Sequence, residues 1–349
     1  MSGSDSSVER CVVIRLRPAW AALVALLAIA SPAAAVPADS APPCRGEDLV
    51  AKAEAEEPQA FAAFEETARK VPNAEGLLWR ITARGAKPSY LFGTMHATED
   101  DLVALSEPLR AALGEAGTVA VELADAQGAA AQRDMIAFVT KNGVDFSGKG
   151  LEGLSDEQVA SVKRRLGEAG LPQSIAPMLK PWFLALTLQV SGCQLKQMSA
   201  GRPTVDEAIE KAGRAAGATI VGLETVAEQL EAVSRISEET ARRMVRDAVA
   251  DDKSSDDLQA TTLALYRARK VGWFLAMDRE TFGDALDVSA YADFMEGVVD
   301  RRNRLMLERS EALIDKGGVL IAVGALHLPG EKGLVELLRK AGYTVEKVW

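Results

Sequence analysis

The two histidines of this chain occupy matching local settings. His96 and His327 each end a Gly-x-x-His motif that follows an apolar run, and one motif lies near each end of the folded region. Histidine titrates near neutral pH and is a common metal ligand. We therefore expect the chemistry of this protein at these two loops.

A carboxylate completes the candidate set. Glu122 follows the apolar residues 119–121, and burial of a lone carboxylate is costly unless it has a partner. Two imidazoles and one carboxylate are a common three-ligand set for a catalytic divalent metal, which leaves one coordination position for water. This pattern predicts that His96, His327 and Glu122 hold a metal-activated water.

A simpler interpretation explains the same residues. Each histidine would hydrogen-bond loop backbone, and Glu122 would pair with an arginine, since the chain has no His-Glu-x-x-His motif. Glu224 is again a carboxylate after an apolar segment, although it could equally cap the helix that follows. Arg302 and Asn303 lie within a long predicted helix, and this position alone indicates solvated surface.

The first 35 residues have the features of a secretory signal peptide. Arg10, Arg15 and Arg17 precede an apolar run at 19–30, and small residues follow at 31–35. The run is shorter than the roughly 20 apolar residues that span a bilayer. We therefore predict cleavage near residue 35, a periplasmic or secreted location, and no stable membrane span afterwards.

Export changes the meaning of the cysteines. Cys11 would leave with the signal peptide, and Cys44 and Cys193 would remain in a compartment where disulfides persist. We predict that these two form a disulfide, with two buried free thiols as the alternative. The formal net charge of −10 argues against nucleic acid as a partner.

The folded region shows the same order of elements at both ends. After a Pro/Ala-rich lead-in and an N-terminal helix (36–71, helix 47–70), the domain at 72–348 begins. Predicted strands and helices around the two motifs are strands 77–82 and 89–93, helix 105–115 and strand 118–123 at one end, and strand 319–323, helix 331–340 and strand 343–348 at the other. Ligands gather at the carboxyl ends of parallel strands, so both histidine loops could meet at one edge.

The middle of the chain, about residues 126–316, is mostly helical in pattern. Helix-type apolar spacing occurs at 156–169, 172–189, 205–216, 226–234, 238–250, 258–269 and 291–316. One short strand interrupts it at 218–221. The predicted fold class is α/β, with a mixed sheet built from two strand-Gly-x-x-His-helix-strand units and a large helical insertion.

Several segments resemble the TraB/GumN family, in order along residues 72–348. They are residues 91–96, 121–123, 180–182, 222–225 with 228–229, 302–303, and 323–330, the last continuing to residue 345. The family is related to the TIKI proteins, which are secreted or membrane-tethered metalloproteases with two Gly-x-x-His motifs and a glutamate.

The resemblance implies a site and a metal. His96, His327 and Glu122 would form the site, with Mn²⁺ or Co²⁺ suggested by the TIKI relatives and Zn²⁺ as a further candidate. The pair Arg302 and Asn303 matches a family motif and would face the same pocket. The family also contains pheromone-shutdown proteins and members without an assigned activity, so membership alone does not imply catalysis.

The leading hypothesis is an exported metal-dependent hydrolase that cleaves peptides. Glu122 would complete the coordination or act as general base, and Arg302 or Asn303 would polarise the substrate carbonyl. Glu224 joins these three as a candidate catalytic residue. The alternatives are a metal-free hydrolase that uses a histidine as base, a non-catalytic envelope protein that sequesters a peptide or small-molecule signal, and a scaffold that binds partners through its helices.

Overall fold

The computed structural model describes residues 44–250, 254–282 and 287–349. Its centre is a six-stranded mixed sheet in the order β4-β3-β5-β2-β1-β6. The strands are β1 Leu78–Thr82, β2 Ser89–Thr94, β3 Thr118–Val121, β4 Thr219–Gly222, β5 Val319–Gly324 and β6 Thr344–Lys347. The predicted signal peptide and the Pro/Ala-rich lead-in up to residue 43 lie outside the described residues.

Four neighbouring strands of this sheet are parallel. β3 pairs with β4 and β5, and β5 pairs with β2, all in parallel register. β1 is antiparallel to both β2 and β6. Strand β5, from the C-terminal part of the chain, thus lies between two strands from the N-terminal part. The carboxyl ends of β4, β3, β5 and β2 consequently meet at one edge of the sheet.

Helices cover the sheet and form the rest of the molecule. Their bounds are α1 Leu49–Glu56, α2 Pro58–Lys70, α3 Asp100–Val103, α4 Glu107–Glu115, α5 Ala129–Asn142, α6 Asp156–Glu168, α7 Pro181–Gln189, α8 Gly192–Ser199, α9 Val205–Ala215, α10 Val226–Ser234, α11 Glu238–Ala248, α12 Ser254–Arg267, α13 Arg279–Phe282, α14 Ala292–Met295, α15 Arg301–Lys316 and α16 Leu334–Lys340. Short 3-10 turns lie at Gln173–Met178, Val271–Ala276, Val288–Tyr291 and Ala325–His327, and a π-helical turn at Glu296–Asp300 joins α14 to α15.

The side chains of β5 alternate between two packed layers, as the period of a strand requires. Leu320 and Ala322 pack with the buried residues of α4 and α9 on one face. Ile321 and Val323 pack with those of α15 and α16 on the other. Burial on both faces explains why β5 is an uninterrupted apolar run, because a strand with two covered faces has no solvent side.

The mixed α/β fold class is confirmed, but several predicted element bounds were wrong. The helix expected at 47–70 is two helices, because Pro58 cannot continue α1 and instead begins α2. The helix expected at 172–189 is a 3-10 turn followed by α7, which begins at Pro181. Helices α5 and α8 were not predicted. The strand expected at 118–123 ends at Val121.

The helices between β3 and β5 form a second apolar cluster that includes residues of α6, α7 and α11. Cys193, at the start of α8, is joined to Cys44 by a disulfide, so the predicted bridge is confirmed over the two free thiols. Within the described ranges, none of the helices combines the length and apolar character that crossing a bilayer requires.

Candidate functional site at the carboxyl edge of the sheet

Each of the four parallel strands ends next to a candidate residue. His96 follows β2, Glu122 follows β3, Glu224 follows β4 and His327 follows β5. The strand order brings these four positions to one edge. Beyond the strand ends, the Glu224 N–H donates to the carbonyl of Glu122 at 2.9 Å, which holds the two carboxylates side by side.

The glycines of the two motifs permit close approach. A Cβ atom on Gly93 would lie 3.0 Å from the Cα of Ala325, which belongs to the second motif. A Cβ atom on Gly324 would lie 3.1 Å from Oε1 of Glu122. Glycine therefore lets the two histidine loops and the carboxylate pack against one another.

His327 is buried and has a defined orientation. Asn303, which is fully buried, donates from Nδ2 to the carbonyl of Lys332 at 2.9 Å and accepts at Oδ1 from Nδ1 of His327 at 2.6 Å. The ring is thereby held as the tautomer that leaves Nε2 without a proton. Burial lowers the pKa of His327 to about 4, so the ring is neutral near pH 7.

His96 is held in a similar way but is open to solvent. Its Nδ1 donates to Oδ2 of Asp206 at 2.8 Å, and Oδ1 of the same carboxylate accepts from Thr94 at 2.5 Å. The negative charge of Asp206 raises the pKa of His96 to about 9, although water screens the pair because the His96 side chain is 72% exposed. Metal binding at Nε2 would therefore release a proton.

Both histidines thus share one arrangement. Within the described part of the chain, neither Nε2 has a hydrogen-bond partner, while each Nδ1 contacts a side-chain acceptor. Metal-binding histidines usually have this arrangement, in which an outer acceptor orients the ring and the free nitrogen faces the metal. Among the residues that the structure describes, neither imidazole bonds loop backbone, and side chains hold both rings instead.

Glu122 is ionised and accepts hydrogen bonds from three donors. Oε1 accepts from the Gly324 N–H at 2.6 Å, and Oε2 accepts from Nη2 of Arg302 at 2.7 Å and from Nε2 of Gln229 at 3.0 Å. Burial alone would raise the pKa of Glu122. The charges of His327, when protonated, and Arg302 more than offset burial and lower this pKa to about 2. The expected pairing of Glu122 with an arginine is present.

Arg302 bridges two buried carboxylates. It donates from Nε and Nη2 to Glu224, whose side chain is fully buried, and from Nη2 to Glu122. Burial alone would lower the pKa of Arg302, but the hydrogen bond to Glu224 and the charge of Glu122 raise it above its usual value. The guanidinium charge therefore compensates two acids that could not otherwise be ionised together in this interior.

Two interpretations from sequence were wrong here. Arg302 and Asn303 are not surface residues, because α15 passes over the carboxyl edge of the sheet and directs both side chains inward. Glu224 does not cap α10. Thr225 and Glu228 form that capping box instead.

Sequence reasoning missed one residue that the structure places in the site. Asp206 lies in the first turn of α9, where an acidic side chain is ordinary because it favours the helix dipole. Its contact with His96 depends on where the start of α9 lies relative to β2. The capping box of Thr204 and Glu207 marks that helix start, but only the fold shows that it reaches the histidine loop.

His96 and Glu122 line one cavity of about 470 Å³. The far wall is a charged face of α9 that includes Glu207, Glu210, Lys211 and Arg214. His96 therefore stands between the buried network and a space that a substrate could enter.

The donor atoms fit a divalent cation in part. Nε2 of His327 lies 3.6 Å from Oε1 of Glu122, and two ligands bound at 2.1 Å in tetrahedral geometry are about 3.4 Å apart. His96 would supply a third donor from the cavity side. In the described ranges, however, no group of three or more His, Cys, Asp or Glu side chains that could hold a metal ion is found.

Comparison with known proteins identifies the family. No curated protein and no solved structure matches the chain. The family model described as TraB/PrgY/gumN matches residues 77–347, which include all four parallel strands and both histidine motifs. The chain therefore belongs to the TraB/PrgY/gumN family.

Proposed function

We propose that this protein is an exported metal-dependent hydrolase that cleaves peptide bonds. The observation that carries the proposal is the pair of histidines at one sheet edge, each with Nδ1 held by an acceptor and Nε2 free, beside an ionised glutamate. Such a set is suited to a divalent cation with an open position.

Nε2 of His327 and Oε1 of Glu122, with Nε2 of His96, would hold the metal. When bound, the metal would supply Lewis acidity and lower the pKa of a water molecule. Two imidazoles and a carboxylate suit Zn²⁺, and the TIKI relatives suggest Mn²⁺ or Co²⁺. Alternatively, the lone pair of Oε1 that the Gly324 N–H leaves unused would serve Glu122 as general base in place of metal coordination.

Arg302, Asn303 and Glu224 have supporting roles in this proposal. Arg302 is neutralised by two carboxylates, so it fixes and ionises Glu122 and is not available to polarise a substrate carbonyl. Asn303 holds the His327 ring, and Glu224 holds Arg302. The sequence hypothesis that Arg302 or Asn303 contacts the substrate is therefore replaced by positioning roles.

A peptide is the substrate class that the cavity favours. Its volume of about 470 Å³ is within the range of small-ligand sites. Its lining carries both carboxylates and cations next to Val121 and Leu123, a mixture that can bind the backbone amides and side chains of an extended peptide.

A second candidate function is peptide sequestration without turnover. It is favoured by the three donors that already bind Glu122 and by the absence, among the described residues, of a group of three or more side chains that could hold a metal ion. The same cavity would then bind a peptide or a small signal without cleaving it.

A cleavage assay separates these functions. Protein beginning at residue 36 would be incubated with a peptide library after chelation and after addition of Mn²⁺, Co²⁺ or Zn²⁺, with products read by mass spectrometry. We expect metal-dependent cleavage that Glu122→Gln and His327→Ala abolish. Glu231→Gln, the same change at an exposed ion pair on α10, should retain full activity.

Each other outcome has a defined meaning. Cleavage that chelators do not affect would indicate a metal-free hydrolase in which a histidine is the base. Saturable binding of a peptide whose mass stays intact would indicate sequestration. Neither cleavage nor binding would reject the cavity as a functional site.

Export is part of the proposal and has its own test. The disulfide is compatible with an oxidising compartment. Mass spectrometry of the protein recovered from its producing cells should show an N-terminus near residue 36. A full-length chain in the cytoplasm would contradict export.

A further inference from the structure

The loop that carries His96 is supported by α8, a helix far from it in sequence. Gln194 and Gln197 of α8 and Thr98 of the loop are almost fully buried. Thr98 donates to Oε1 of Gln197 at 2.6 Å, and Nε2 of Gln194 donates to the carbonyl of His96 at 3.3 Å. The carbonyl of His96 and the side chain of Thr98, two residues after it, are therefore both in contact with this helix.

The disulfide anchors the same helix. Cys193 lies in the first turn of α8, and its bridge to Cys44 ties α8 to the chain that precedes α1. Nε2 of Gln197 lies 3.3 Å from the sulfur of Cys44 and 3.9 Å from that of Cys193. Sulfur is a weak acceptor, so the covalent bridge, more than these contacts, holds the helix in place.

The bridge adds a covalent constraint to the side-chain cap of Ser191 and the buried contacts that already hold α8. The helix has eight residues, and isolated helices of this length are marginal in water. Oε1 of Gln194 is also buried without a hydrogen-bond partner in the described structure, which costs free energy wherever the helix is docked. The Cys44–Cys193 bridge therefore contributes to holding this short helix in its docked position.

The other histidine loop is held differently. His327 follows the central strand β5, and its ring contacts Asn303 of α15. In the described structure, no hydrogen bond joins the His327 side chain to α8. A change at α8 should consequently affect one loop and leave the other unchanged.

We propose that Gln194 and Gln197, anchored by the Cys44–Cys193 bridge, are positioning residues for His96. The bridge then contributes to the geometry of the site as well as to the stability of the fold. This inference rests on the proposed function only in treating His96 as a site residue. Its structural part, that α8 holds the loop, can be tested independently of catalysis.

The test uses two matched variants of the exported chain. Gln197→Met keeps the side-chain volume and the disulfide but removes the hydrogen bond from Thr98. Lys196→Met places the same side chain at the neighbouring exposed position of α8. Hydrogen exchange of peptides covering residues 94–99 and 319–328 reports the two loops separately, and wild-type protein treated with a thiol reductant provides the third sample.

We expect exchange at residues 94–99 to rise at least tenfold in Gln197→Met and in reduced protein, with residues 319–328 unchanged. Where the wild type cleaves a peptide, kcat should fall by about ten- to a hundredfold, as for other groups that orient a ligand, with Lys196→Met unaffected. Native exchange at 94–99 in both perturbed samples would overturn the proposal. A uniform rise across the protein would also overturn it, since that is the result of general destabilisation.

The two hypotheses fail in distinguishable ways. If the wild type cleaves nothing, the exchange measurement still decides whether α8 positions the loop. If the wild type is active and Gln197→Met is equally active, the positioning role is rejected while the hydrolase proposal stands.

Discussion

Replacement of Arg302 is the sharpest test of the buried network. Its guanidinium contacts Glu122 at 2.7 Å and Glu224 at 2.6 Å, with all three side chains at most 13% exposed. The variant Arg302→Met keeps much of the volume but removes the positive charge that lies between these two acids. Gln229 would still donate from Nε2 to both carboxylates.

The structure sets the size of the effect. Folding lowers the pKa of Glu122 to about 2, so the folded protein favours its ionised form. The charge of protonated His327 is the largest cause of that lowering, but His327 is neutral at pH 7. At that pH, loss of Arg302 would leave Glu122 and Glu224 buried without their shared cation. Because breaking a buried pair costs about 3–5 kcal/mol, we expect Arg302→Met to lower the free energy of unfolding by about 3 kcal/mol at pH 7.

The stability difference between Arg302→Met and the wild type should change with pH in a defined direction. In the wild type, the pKa of Glu122 is lowered by folding, so its stabilisation is present above pH ~4.3 and is lost as pH falls towards 2. In Arg302→Met, burial without this cation should raise the pKa of Glu122 relative to the wild type. A fall in pH then costs the variant less stability than the wild type, and the difference between the two proteins should shrink from pH 7 to pH 4.

Urea unfolding followed by tryptophan fluorescence at pH 7, 5.5 and 4 measures this difference. Arg235→Met is the control, because its pair with Glu231 is more than half exposed and should change stability by less than about 0.5 kcal/mol. Equal midpoints for Arg302→Met and the wild type at pH 7 would show that Arg302 does not compensate the buried carboxylates. A difference that widens as pH falls would contradict the expected pH dependence.

Two further changes test how the site is built. Gly93→Ala places a Cβ atom 3.0 Å from Ala325 and should destabilise the protein by about 1–3 kcal/mol. The control, Gly114→Ala on helix α4, meets nothing within 4 Å and should stabilise the protein by about 0.5–1 kcal/mol. Thermal melts that rank the two variants in the opposite order would contradict the packing of the two motifs. Glu228→Ala removes the capping box of α10 and the pair with Arg309 and should cost about 1 kcal/mol at pH 7. The hydrogen bond from Arg309 lowers the pKa of Glu228 to about 2, so the cost of this substitution should decrease as pH drops below about 4. Urea unfolding that gives the same cost at pH 7 and pH 3.5 would contradict this role of the Glu228 charge.

The sheet and its histidine loops follow from local patterns in the sequence. Apolar runs bounded by glycine predict the strands, and parallel strands direct their following loops to one edge. The position of β5 between β2 and β3 could not be read locally, because strand order is a long-range property. The helix breaks at Pro58 and Pro181 could have been read from the sequence, because a proline within a periodic pattern often begins a new helix. The periodicity alone did not reveal them.

The partners of the site residues could not be predicted in the same way. Asp206 has the position of an ordinary acid at a helix start, and Arg302 has that of a charged residue on a helix surface. Each becomes part of the site only through the placement of α9 or α15 against the carboxyl edge. Helix periodicity reports which side of a helix is apolar, whereas it does not report that a polar side faces a buried carboxylate.

Nitrogen NMR of the two imidazoles can show whether His96 and His327 share one metal with Glu122. The chain has only two histidines, so an untagged, ¹⁵N-labelled protein gives one ring system for each. On titration with Zn²⁺, a diamagnetic ion, we expect both Nε2 resonances to shift together and to saturate at one equivalent, while Glu122→Gln weakens this binding strongly. Resonances that do not shift, or that shift separately at different Zn²⁺ concentrations, would show that the two histidines do not share a metal site.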